Sequence, residues 1–236
     1  MYIRKALLTV VGIFMMGLSL GFAHAIWIET PSVGEQGEAQ SVKIYFGEFG
    51  TEDISKVANW FADLSQFELQ LIGPDGSKTA LPFKANGDHF AASFTPESDG
   101  LYNVVLRKIA GEVYYGYKLD YMATAHVQVG EGRKFGQQAL PIALRPEGSH
   151  YEAGKAIDLS VLIDSTLTGE QEITVISPNT WTKKLYPDEK SAASFVPLWP
   201  GKYLVETTVS DKNKGEWNGT SYDVDYRCHT YLLEVK

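Results

Sequence analysis

Short stretches that alternate apolar and polar residues, each closed by glycine or proline, run through most of the 236-residue chain. Phe67-Glu-Leu-Gln-Leu-Ile-Gly-Pro74 is one, and Gln171-Glu-Ile-Thr-Val-Ile-Ser-Pro178 is another. A period of two sends successive side chains to opposite faces of an extended strand, and the proline stops the strand in a turn. Ala92-Ser-Phe-Thr-Pro96 with Gly100-Leu-Tyr-Asn-Val-Val105 is matched by Ala193-Ser-Phe-Val-Pro197 with Gly201-Lys-Tyr-Leu-Val-Glu206. Ser93/Ser194, Phe94/Phe195, Pro96/Pro197, Gly100/Gly201 and Tyr102/Tyr203 all keep one offset of 101 residues. Upstream, Gly37-Glu-Ala-Gln-Ser-Val-Lys-Ile44 answers Gly154-Lys-Ala-Ile-Asp-Leu-Ser-Val161, and Asp120-Tyr121 answers Asp225-Tyr226 at the last strand. Four correspondences in one order mark a duplication.

Each copy is punctuated at intervals of roughly 8–12 residues, the spacing of an antiparallel sandwich. The pattern predicts an all-β protein of two tandem immunoglobulin-like antiparallel β-sandwich domains, residues 26–130 and 137–236. Gly130-Glu-Gly-Arg-Lys-Phe-Gly136, polar and glycine-rich, reads as their linker. Within each copy, Phe-x-Pro followed by Gly-x-Tyr fits a core aromatic, a turn and a strand carrying a buried tyrosine. One segment breaks the symmetry. Ile54, Val57, Ala58, Phe61 and Leu64 recur at helical spacing, which predicts a short helical insert near 53–64 with Asp53 as its N-cap. An apolar stripe usually faces the core, so the insert reads as a cover over one end of the sandwich. The other reading exposes Trp60 toward a partner.

In the two final strands, Leu119, Tyr121, Ala123, Ala125 and Val127 form the expected buried face, with Val224, Tyr226, Cys228, Thr230 and Leu232 as counterparts. Cys228 then reads as a small buried hydrophobe. His126 and His229 fall on the opposite face, where an exposed strand histidine is the plain expectation.

The first residues change the picture. Met1-Tyr-Ile-Arg-Lys5 is a basic head, Ala6–Ala23 is apolar, and small residues precede Ile26. This is the pattern of a secretory signal peptide over residues 1–25, with a second cleavage point after residue 23. The rival is an uncleaved anchor, but Gly12, Gly17, Ser19 and Gly21 dilute its hydrophobicity and no basic stop-transfer cluster follows. A periplasmic or secreted location follows. The formal net charge is −8. Loss of the signal leaves 19 basic against 29 acidic residues, a net charge of −10. Such a surface repels phosphate backbones and anionic lipid, so nucleic acid is not expected as a partner. Membrane contact is expected only through a partner or an uncleaved signal. The one cysteine, Cys228, allows no disulfide within the chain, so stability must come from apolar cores.

Signatures of catalysis are missing. There is no Gly-x-Ser-x-Gly elbow, phosphate loop, His-Glu-x-x-His helix or Cys-x-x-Cys pair, and the chain is not expected to be an enzyme. The acidic pairs Glu52-Asp53 and Asp188-Glu189 sit in turn-like contexts, where carboxylates are ordinary caps. His24, His89, His126, His150 and His229 show no local ligand spacing, so a metal site would have to be assembled by the fold. His24 stands apart. Cleavage after Ala25 discards it, whereas cleavage after Ala23 makes it the new N-terminus. Its α-amine and a ring nitrogen would then form a ready chelate for a divalent transition metal.

The stretch His24-Ala-Ile-Trp-Ile-Glu-Thr-Pro31, with Gly37, Val42-Lys-Ile-Tyr-Phe-Gly-Glu-Phe49 and Trp60, resembles the start of a family of periplasmic proteins termed NikM-like. That family takes its name from the periplasmic component of cobalt/nickel uptake systems. The similarity continues through Leu71-Ile-Gly-Pro-Asp-Gly76, Tyr102 and Ala125-His126-Val127, and is weaker over the second copy. The His24 opening also resembles CopC-type copper-binding sandwiches, although their methionine-rich stretch is missing. The resemblance implies a non-catalytic periplasmic accessory protein for nickel or cobalt uptake. Its ligand would be Ni²⁺ or Co²⁺, with Cu²⁺ as the alternative and no organic cofactor. His24 would be the primary ligand, with His126 and His229 as candidate partners, and an inner-membrane metal transporter would be the docking partner. The alternative function is an adhesion-like or structural module whose sandwich recognises a protein or glycan in the cell envelope.

Overall fold

A computed structural model describes residues 24–132, 139–164, 166–167 and 171–236. The expected signal segment up to Ala23, and Arg133–Gly136 of the expected linker, lie outside these residues. The first sandwich consists of β1 (Ala25–Glu29), β2 (Val33–Gly34), β3 (Gln40–Gly47), β4 (Glu68–Ile72), β5 (Lys78–Ala80), β6 (Phe83–Asn86), β7 (His89–Phe94), β8 (Gly100–Ile109) and β9 (Tyr117–Val129). The second consists of β10 (Ile142–Pro146), β11 (Ile157–Ile163), β12 (Thr166–Leu167), β13 (Ile173–Ile176), β14 (Thr182–Leu185), β15 (Ala192–Phe195) and β16 (Gly201–Asp211). A small hairpin of β17 (Gly215–Trp217) and β18 (Thr220–Tyr222) follows, and then β19 (Val224–Val235).

Strand order identifies the architecture. One sheet of the first sandwich runs β1-β3-β7-β6, and the facing one runs β9-β8-β4-β5 with β2 added parallel to β9. This is the four-on-four arrangement of an immunoglobulin-type sandwich. The second copy repeats it, with β10, β11 and β15 facing β19-β16-β13-β14, and Tyr151 bridging parallel to Val235. Each copy also carries the tyrosine corner of such sandwiches. Tyr102 Oη donates to the Ser98 carbonyl at 3.1 Å and accepts from the Ser98 N–H at 3.0 Å. Tyr203 Oη does the same with Trp199, at 2.9 and 3.1 Å. The Gly-x-Tyr element of the repeat is this corner.

The two copies are not beads on a linker. The last strands β9 and β19 pair in parallel, Tyr121 beside Cys228 and Ala123 beside Thr230. They fuse the two inner sheets into one, ordered β14-β13-β16-β19-β9-β8-β4-β5. The first sandwich closes over one face of this sheet and the second over the other. In β19, Tyr226 and Cys228 therefore enter the first core, while Tyr231, Leu233 and Val235 enter the second. The equivalence of the final strands shifts accordingly. Gly100 pairs with Val129 and Gly201 with Val235, so Ala123 corresponds to His229 rather than to Cys228. A slip of one residue turns a side chain to the other face.

Each copy also covers the back of the other's sheet. Leu140 and Ile142 pack on Ile72, Val105 and Met122. Ala25, Trp27 and Phe49 pack on Leu204 and Leu232. Residues Leu119 to Val127 of β9 are consequently buried without a break, the mark of a strand covered on both faces.

The expected helix near 53–64 is a single 3₁₀ turn, Val57–Asn59, followed by tight turns. Lys56 rather than Asp53 precedes it, in extended backbone. Packing overrides the helical spacing. Trp60 is only 6% exposed and sits among Phe46, Phe67 and Phe90, and the Val57 N–H is taken by the Gly87 carbonyl. Trp60 is a core residue, not an exposed contact.

Candidate functional site

His24 stands at the open start of β1, and its neighbourhood is built by the loop between β3 and β4. Its ring lies against Phe46, with centroids 5.5 Å apart, and its Nε2 is 3.4 Å from Asp53 Oδ2. The side chains of His24 and Asp53 are 41% and 62% exposed, so both are open to a solute. Asp53 is held in place through its carbonyl, which accepts from the Glu48 N–H at 2.9 Å. Beside this pair opens a cleft of about 220 Å³ between the two sandwiches, lined by Ala25, Glu48, Phe49, Thr180, Leu204 and Glu206. Glu48 at this cleft and Asp53 beside it favour cations over anions.

The other two histidines are elsewhere. His229 is fully buried on the seam face covered by the second sandwich, where its Nε2 shares a 3.2 Å hydrogen bond with Thr124 Oγ1. Burial lowers its pKa to about 3, so it is a neutral core residue. His126 lies on the same face, 8% exposed, with its ring 5.0 Å from that of Tyr231. Both are therefore corrected from the exposed strand positions expected of them. His126 is covered by the other copy, whereas His229, the counterpart of Ala123, faces the core side of its own copy. Among the described residues no group of three or more His, Cys, Asp or Glu is placed to hold a metal ion. His126 and His229 do not join His24.

A second polar cluster lies in the seam. Glu206 of β16 hydrogen-bonds the Cys228 thiol, which in turn contacts Tyr226. Burial raises the Glu206 carboxyl to about 7. Burial, reinforced by Glu206, pushes the Cys228 thiol well above its ordinary value. A thiol held this way is neither a nucleophile nor a metal ligand at neutral pH, in keeping with its reading as a buried hydrophobe. Glu206 itself was not singled out from sequence. It ends the alternating run Gly201–Glu206, where a strand's outer face is ordinarily wet. Only the covering by the other copy makes it unusual.

Lys118 reaches Asp225 at 3.2 Å and ties the two halves together, while Arg107 clamps Asp120 at 2.8 Å within the first and Arg227 bridges Asp164 and Asp211 at 3.2 and 2.8 Å within the second. From the β17–β18 hairpin, Trp217 Nε1 donates to the Ala110 carbonyl at 2.8 Å. These contacts suit a rigid body. Where β1 ends, a further cleft of about 220 Å³ is lined by Glu29, Lys43, His126, Lys202 and Glu234, and the Lys202–Glu29 ion pair of 2.6 Å closes part of it. Among the described residues no helix is long and apolar enough to cross a membrane.

No family model matches the sequence, and no curated protein matches it. Among solved structures, the chain is similar to a DUF4785 family protein from Legionella pneumophila subsp. pneumophila str. Philadelphia 1. The identity is 12% and the TM-score 0.34, over 89% of this chain and 57% of that one. The chain thus spans a little over half of that relative's length. It is also similar to the fibronectin(III)-like modules of Clostridium thermocellum CbhA, at 8% identity and a TM-score of 0.25, over 88% of this chain and 94% of that one. Likeness at this level carries no functional argument. The architecture stands on the strand order and the two tyrosine corners.

Proposed function

We propose that this is an exported, non-catalytic binding protein whose cargo is a divalent transition metal ion, Ni²⁺ or Co²⁺, taken up at the start of β1. The observation that carries the reading is the pairing of an open His24 imidazole with the Asp53 carboxylate, 3.4 Å apart. Processing after Ala23 would add the α-amine of His24, which chelates together with the ring Nδ1, while Asp53 at Nε2 orients the ring. Imidazole and amine nitrogen suit late divalent metals, and the carboxylate supplies charge neutralisation. With two protein donors the ion would keep open positions, as cargo handed to a transporter requires. His126 and His229 take no part in this reading, because both are buried in the seam.

The test is a Ni²⁺ and Co²⁺ titration of four proteins: the form beginning at His24, one carrying an extra N-terminal residue, His24→Ala and Asp53→Asn. The extension should cost most of the affinity, because it turns the amine into a poorly ligating amide. His24→Ala should abolish binding, and Asp53→Asn should weaken it about tenfold. Binding by nitrogen ligands requires their deprotonation, so affinity should fall as pH falls. Equal affinity across the four proteins would remove His24 from any metal site.

A further inference from the structure

Most large hydrophobic side chains are inside, and among the described residues seven are exposed. Four of the seven, Trp181, Val196, Leu198 and Trp199, sit on two turns of the second sandwich. Trp181 is in the β13–β14 turn, and the other three are at the β15–β16 corner. The two turns share one end of the sandwich. A Cβ on Gly201, next to that corner, would lie 2.6 Å from Cγ of Pro178 in the other turn.

The duplication supplies an internal control for these residues. In the first sandwich the same turn closes with Gly73 N–H on the Ser77 carbonyl and Gly76 N–H on the Gly73 carbonyl. In the second, Ser177 N–H bonds the Trp181 carbonyl and Thr180 N–H the Ser177 carbonyl. The corners match through Tyr102 with Ser98 and Tyr203 with Trp199. At equivalent positions the first copy therefore has Ser77, Glu97 and Ser98 where the second has Trp181, Leu198 and Trp199. The fold does not require these aromatic and apolar side chains. Nor does it require Thr180, a β-branched residue at φ +65° where the first copy has Gly76 at φ +83°. Left-handed backbone at a β-branched residue costs energy, and such strain gathers at working sites.

The chemistry of the patch points to its ligand. Trp181 and Trp199 are 48% and 43% exposed, so about half of each indole is covered and the rest is ring surface, not a protruding tip. Of the nearby lysines, Lys184 is paired with Glu172 at 2.9 Å and Lys202 with Glu29 at 2.6 Å, while Lys183 is exposed. The exposed hydrogen-bonding side chains beside Trp181 are the neutral Asn179, Thr180 and Thr182. Aromatic surface flanked by amide and hydroxyl groups, with Lys183 the one lysine beside it not in an ion pair, matches the C–H face and hydroxyls of a pyranose ring. An anionic bilayer would instead call for a cluster of several such lysines.

We propose that the turn pair bearing Trp181 and Trp199 is a binding platform for a neutral saccharide chain, using residues other than His24 and Asp53 although Thr180 also lines the cleft beside them. The test is affinity electrophoresis of the processed full-length protein through gels containing soluble β-glucan, galactomannan, xylan or dextran. At least one gel should retard it. Trp181→Ser and Trp199→Ser, which install the residues of the first copy, should each weaken binding about tenfold. The double variant should migrate as in a blank gel while unfolding at the wild-type temperature within a few degrees. No retardation in any gel, or retardation unchanged in the double variant, overturns the proposal. So does co-sedimentation with phosphatidylcholine vesicles that the double variant loses, which would assign the patch to a bilayer.

Discussion

Glu206 and His229 stand on opposite faces of the shared sheet, and their ionisation opposes in sign. The Glu206 carboxyl is raised from 4.5 to about 7 by burial. The unfolded chain therefore releases this proton at lower pH than the folded one. The stability linked to it is complete below 4.5 and is lost as pH rises through 7. His229 is depressed from 6.5 to about 3 by burial. The unfolded chain takes up that proton first, so the linked stability is present above 6.5 and is lost as pH falls toward 3. Each group alone imposes one limb of a bell-shaped stability curve. Glu206→Gln should remove the alkaline limb, raising unfolding free energy by about 2 kcal/mol at pH 8 and leaving it nearly unchanged at pH 4. Denaturant unfolding at the two pH values measures this. The same change at both would mean that burial does not raise the Glu206 carboxyl in the folded protein.

At the level of elements, the turns were the most legible part of the sequence. Gly100 and Gly201 came out of the repeat as fixed points, and their backbone explains why. Their φ values are +130° and +132°, and an added Cβ would sit 2.5 Å from Pro74 Cβ or 2.6 Å from Pro178 Cγ. Gly100→Ala and Gly201→Ala should therefore each cost about 2 kcal/mol of unfolding free energy. A loss below about 0.5 kcal/mol at either site would show that its turn can move aside. The segment around Trp60 was the least legible. Its apolar spacing was real, but an isolated turn of helix is marginal without tertiary support, and the aromatic ring set of Phe46, Phe67 and Phe90 holds Trp60 in irregular backbone instead. The final strands fall between these cases. Their alternation was visible, whereas the covering of both faces depends on β9 pairing with β19 across 107 positions. No local pattern encodes a contact of that range. For the same reason the environments of His126, His229 and Glu206 could not be read beforehand, nor could the approach of Asp53 and Phe46 to His24.

The whole molecule should behave as one cooperative unit despite its duplicated sequence. Tandem sandwiches joined only by a linker unfold independently, but here the last strand of each copy completes the sheet of the other. Separating the halves would expose Leu204 and Leu232, which Ala25, Trp27 and Phe49 now cover, and Met122 and Val105, which Leu140 and Ile142 now cover. It would also strand Asp120, whose side chain is 2% exposed, beside a sheet edge open to water. Burial of each large aliphatic side chain stabilises by roughly 1.5–3 kcal/mol, and several are shared across the seam, a sum comparable with the whole stability of an ordinary domain. Equilibrium unfolding in guanidinium should accordingly give one transition, with far-ultraviolet circular dichroism and tryptophan fluorescence coinciding. A fragment of residues 139–236, deprived of the first sandwich, should aggregate or remain unfolded, because the free β19 edge and the bared backs of β16 and β19 offer a surface for association. Two resolved transitions in the full chain, or a monomeric folded fragment of native-like stability, would mean that the parallel β9–β19 pairing contributes little and that the two sandwiches hold together by their own cores alone.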